Sequence, residues 1–101
     1  MTTNIYRFEI DKGVLLEDVQ ESLQLAIVAL QGIYGDARVR VDATWHVDES
    51  RRLITIDSST DIGSILVCIF TEFLLREFGD DAFDVRRIQQ SASKQAKGKA
   101  A

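Results

Sequence analysis

The chain has 101 residues, 46% of them hydrophobic, with one cysteine and no proline, which is enough for one domain with a modest core and excludes a disulfide within the chain. The net charge of −4 is unevenly placed: three of the twelve bases, Lys94, Lys97 and Lys99, lie in the last eleven residues, leaving nine bases against sixteen acids, or −7, in the rest. An acidic body is a poor platform for a phosphate backbone, so no nucleic-acid partner is expected; three lysines in the tail are a weak signal for a nucleic-acid or lipid tether.

In chain order, Ile5–Ile10 (IYRFEI) is rich in β-formers and reads as a short strand, with Tyr6, Phe8 and Ile10 on one face. Asp11-Lys12-Gly13 breaks it. Val14–Tyr34 reads as a long helix, because Leu16, Val19, Leu23, Ala26, Ile27, Leu30 and Ile33 recur at helical spacing. Glu17, Asp18 and Glu21 crowd its first turns, where the helix dipole favours negative charge. Gly35 suits the residue beyond its C-terminus.

Arg38–Asp48 alternates strictly, with Val39, Val41, Ala43, Trp45 and Val47 on one side and charged or polar residues on the other. That is the pattern of a strand with one face on a core and one in water. Glu49-Ser50 then makes a tight turn and Arg52–Asp57 returns. The expected register sets Trp45 opposite Ile54 and Ala43 opposite Ile56, all facing the core; a one-residue slip would turn the isoleucines to the wrong face. Ser59 or Thr60 caps a second helix that runs from Asp61 to about Phe78, where Gly79 ends it. Phe83–Ile88 reads as a last short strand, with Phe83 and Val85 inward.

The order β-α-β-β-α, closed by a final β, predicts an α+β fold: a two-layer sandwich with a mainly antiparallel sheet and two helices on one face. It resembles the split β-α-β, ferredoxin-like arrangement over about 85 residues. That resemblance places the first strand and the return strand at the centre of the sheet, and it implies no function. Residues 1–90 form the single domain, and 91–101 (SASKQAKGKAA) reads as a disordered basic tail.

No residue set points to catalysis, to a metal or to a cofactor. His46 lies on the outward face of its strand with no orienting partner, so it reads as a solvated or interface histidine. Asp42 and Asp57 face each other in the expected register and read as a surface ion cluster neutralised by Arg7 and Arg40, lacking the further oxygens a hard cation requires. Cys68 sits in the most apolar stretch and reads as a buried, inert thiol. Ser58–Ser64 joins a strand to a helix and reads as a cap; it has no P-loop spacing, and Asp61 would repel an anion. The outward positions of the central strands, Ile5, Arg7, Glu9, Leu53, Thr55 and Asp57, include no aromatic residue on which RNA bases stack.

The longest unbroken apolar run, Ile65–Phe70, is far short of the roughly 20 residues of a membrane span. The opening MTTNIYRFEI lacks the basic and apolar segments of a secretory signal. A cytoplasmic protein with no membrane partner is the expectation.

What remains is association. Ten of the fifteen residues of Asp61–Leu75 are Ile, Leu, Val, Phe or Cys, whereas a helix with one buried stripe needs about three apolar positions in seven. With Ile62, Ile65, Ile69 and Phe73 assigned to the core, the surplus is Val67, Cys68, Phe70 and Leu74. The first helix adds Leu25, Val28 and Ala29 beyond its own stripe. Val67, Cys68, Phe70, Leu74 and Val28 therefore form the expected interface of a homodimer or of a complex with another protein; the alternative is that this flank packs on the first helix within the monomer, and the edge strand Arg38–Asp48 offers a second route to association by strand pairing about a two-fold axis. The functional expectation is a non-enzymatic, self-associating interaction module: an adaptor, an assembly subunit or an acidic inhibitor of a basic partner. Its rival is a regulatory domain holding a small ligand between helix and sheet or at a dimer interface.

Overall fold

A computed structural model describes residues 2–91. It contains strands β1 (Thr2–Ile10), β2 (Trp45–Asp48), β3 (Leu53–Asp57) and β4 (Phe83–Ser91), and helices α1 (Leu16–Tyr34), α2 (Asp36–Asp42) and α3 (Asp61–Phe78). A single 3-10 turn, Asp80–Ala82, links α3 to β4. The sheet has the order β2-β3-β1-β4 with antiparallel pairing throughout. β1 and β3 are central, as expected. The basic tail read at 91–101 lies, beyond Ser91, outside the described residues.

Alternation along the strands sends Phe8, Ile10, Ile54 and Ile56 into one core with Val19, Leu23, Ala26, Ile27 and Leu30 of α1 and Ile62, Leu66, Val67, Phe70 and Leu74 of α3. The helices therefore cover one face of the sheet. At the centre the Phe8 and Phe70 rings meet edge to face, with centroids 4.8 Å apart.

The segment 36–42 corrects the sequence reading. Instead of the first half of a long strand it is a two-turn helix, and only Trp45–Asp48 is extended. Its charges alternate, but they also stand four apart: Arg40 reaches Asp36 at 3.0 Å and Arg38 reaches Asp42 at 3.6 Å. Gly35, at φ 90°, supplies the left-handed corner between α1 and α2. Arg38 also lies over the Tyr34 ring. The helix buries Val39 in the core and leaves Val41 79% exposed, a split that a strand with both valines on one face would forbid.

The hairpin register is corrected with it. Trp45 faces Ile56 and Val47 faces Ile54, a shift of two residues that keeps every side chain on its expected face. The cause is a four-residue loop, Glu49–Arg52, in place of a two-residue turn. Asp48 Oδ1 accepts from Ser50 Oγ at 2.9 Å and from the Arg51 N–H, and these bonds hold its carboxyl below the usual carboxylate pKa. Arg52 takes a left-handed φ of 55°. Its guanidinium donates to the carbonyls of Ile10, Asp11 and Val14, clamping the loop onto the β1–α1 connection.

Thr60 is the cap of α3. Its Oγ1 accepts from Gly63 N–H at 2.9 Å and donates to Asp42 O at 2.8 Å, so one hydroxyl closes the start of α3 and the end of α2. Gly63 is required by a close approach: a Cβ there would stand 2.1 Å from Asp57 O.

Candidate interaction surface

The predicted interface residues fall in three places. Phe70 and Leu74 are fully buried, and Val67 is nearly so; their partners are the sheet and the rest of the core. The sheet-facing stripe of α3 is thus Ile62, Leu66, Phe70 and Leu74, while Ile65, Ile69 and Phe73, expected at the centre, are half-buried on one flank. Two adjacent stripes of α3 are apolar, and only the position of Phe8 decides which of them faces the sheet. Cys68 is exposed, which corrects the reading of a buried thiol. It lines a shallow groove of about 420 Å³ between α3 and β4, with Val67, Tyr6 and Val85. Val28 lies elsewhere, on the outer side of α1.

Val28 belongs to an open groove of about 780 Å³ between α1 and edge strand β2. Leu25 and Val28 overhang it, 59% and 58% exposed, and Trp45 and Val47 form its floor. Glu17, Gln20 and Glu21 line the end nearer the start of α1, where Gln20 reaches Glu49 at 3.4 Å. Helical spacing explains the overhang: Leu25 and Val28 lie off the Leu23–Ala26–Ile27–Leu30 stripe that α1 buries. Trp45 points to the helical side but stands at the sheet edge, where α1 leaves it 36% exposed. Alternation assigned it to the core, because periodicity reports the face of a residue and not its distance from the edge.

The other face of the sheet is uncovered by helices. Across its four strands run His46, Thr55, Arg7 and Arg86 in one row, and Asp48, Leu53, Glu9 and Asp84 in the next. Each arginine is paired along its own strand, Arg7 with Glu9 at 3.5 Å and Arg86 with Asp84 at 3.1 Å. Both arginines of the first row are thus offset by acids of the second, as on a solvated face. Asp42 and Asp57 do not meet: Asp42 pairs with Arg38 at the end of α2, and Asp57 accepts from the backbone and hydroxyl of Ser59. Arg7 and Arg40 are engaged with other acids. His46 is exposed and faces Thr55 across the ladder, not Leu53.

Among the described residues no three His, Cys, Asp or Glu side chains are grouped to hold a metal ion, and no helix is long and apolar enough to cross a membrane. No protein-family model, curated protein or solved structure matches the chain.

Proposed function

We propose that this chain is a non-enzymatic, self-associating interaction module with ferredoxin-like topology, working as an adaptor, an assembly subunit or an acidic inhibitor-type protein. The observation that carries this reading is the run of exposed apolar side chains, Leu25, Val28 and Trp45, around one open groove. Apolar surface gathered in one place marks an association site far more often than isolated exposed residues do. The tryptophan adds the kind of large side chain that dominates interface energetics. The shape of the groove, open along a helix and a sheet edge, suits a protein surface.

Sedimentation velocity at micromolar concentration tests the reading. Wild type is expected as a dimer, and Val28→Glu, which changes an exposed side chain, as a folded monomer. A monomeric wild type overturns the proposal. One observation favours a second reading, a regulatory domain that binds a small ligand: the groove volume lies within the roughly 300–1,000 Å³ of ligand sites. Thermal stabilisation of a monomeric wild type by members of a metabolite panel, lost in Trp45→Ala, would support that reading.

A further inference from the structure

Strand β2 is an edge, and its hydrogen-bonding direction follows from two bonds. Asp57 N–H donates to Thr44 O, and Ile10 N–H donates to Arg52 O, each at 3.0 Å. Bonded and non-bonded pairs alternate along an antiparallel ladder. His46–Thr55 and Asp48–Leu53 therefore exchange bonds with β3, while Trp45 and Val47 turn their N–H and C=O groups outward. Two outward donor–acceptor sets, two residues apart on one strand, are self-complementary about a two-fold axis.

We infer that two copies of this chain join β2 to β2 in antiparallel register about a two-fold axis at His46, forming one continuous eight-stranded sheet. Trp45 exchanges two hydrogen bonds with the partner's Val47, and Val47 exchanges two with the partner's Trp45. The same axis sets the two α1 helices antiparallel, above the join. Charge on α1 suits that arrangement: its acids, Glu17, Asp18 and Glu21, all precede Ser22, and no charged residue follows up to Tyr34. Each acidic half lies beside the partner's uncharged half, where a parallel pair would stack acid on acid. Leu25 and Val28 from both copies then close the two grooves over Trp45 and Val47. Four backbone bonds set the register, and the apolar side chains supply most of the affinity. The opposite edge, β4, carries Arg86 and Arg87 in mid-strand, a usual defence against edge pairing.

This inference rests on the self-association reading, and the two are separable by experiment. In the full chain with Cys68→Ser, His46→Cys places a thiol beside its own copy across a non-hydrogen-bonded pair, where Cα atoms are about 4.5 Å apart, within disulfide range. Mild oxidation is expected to give a disulfide dimer, at least tenfold faster than Thr44→Cys, whose partner across the axis is Asp48. Val47→Pro removes an outward N–H and leaves the β3 ladder intact; it is expected to weaken the dimer at least tenfold in sedimentation. A dimeric wild type in which His46→Cys cross-links no faster than Thr44→Cys overturns the strand pairing and leaves self-association standing. A monomeric wild type overturns both.

Discussion

Phe70 and Arg52 do work that the sequence assigns to neither. Phe70 is wholly buried against Phe8, so its truncation should appear as lost stability. Phe70→Ala is expected to cost about 3–5 kcal/mol, the usual range for a buried phenylalanine, read as a lower urea midpoint; an interface residue would shift the association constant and leave the monomer's midpoint unchanged. Arg52 holds three carbonyls of the β1–α1 connection from a left-handed backbone. Arg52→Ala removes charged donors from partly buried acceptors, and a loss of roughly 1–3 kcal/mol is expected in the same measurement. Nothing in a run of residues such as Ser-Arg-Arg-Leu marks one arginine as a clamp, because its acceptors lie about forty positions away.

At the scale of elements, α2 is the instructive segment. Its alternating valines and arginines satisfy a period of two over seven residues, and its i,i+4 ion pairs equally satisfy a helix. Exposed pairs of that kind contribute only a few tenths of a kcal/mol each. The deciding factors are the Gly35 corner, the burial of Val39 and the Thr60 hydroxyl on Asp42 O. Paired substitutions separate the two structures. Val39→Ala should cost roughly 1–3 kcal/mol of unfolding free energy. Val41→Ala should be neutral or slightly stabilising, because alanine is the better helix former. Equal losses at both positions would indicate the strand.

For the whole molecule, one face of the sheet is closed and the groove at one edge is open. The helices close one face of the sheet around a core centred on Phe8 and Phe70, and the groove beside β2 leaves apolar surface in water. A dimer that covers this surface binds only the folded state, so it links stability to concentration. The melting temperature of wild type should rise with protein concentration between about 1 and 100 µM, by roughly 5–10 degrees for ~1–2 kcal/mol of linkage in a chain of this size. The Val28→Glu variant should melt at one temperature throughout that range. A concentration-independent wild type would contradict self-association.

Local chemistry in the sequence determined much of this protein: the boundaries of α3 at Thr60 and Gly79, the end of α1 at Gly35, and the inward faces of β1 and β3. Caps, glycines and hydrophobic periods act over a few residues, and here they agree with the fold. Tertiary structure alone decided the rest. Whether 36–42 is strand or helix, which stripe of α3 meets Phe8, and whether Trp45 is enclosed or left at an edge all depend on distant partners. The exposed groove beside Val28 is of that second kind: periodicity marks a side chain as surplus to its own helix, and only the assembled sheet shows what remains beside it to be covered.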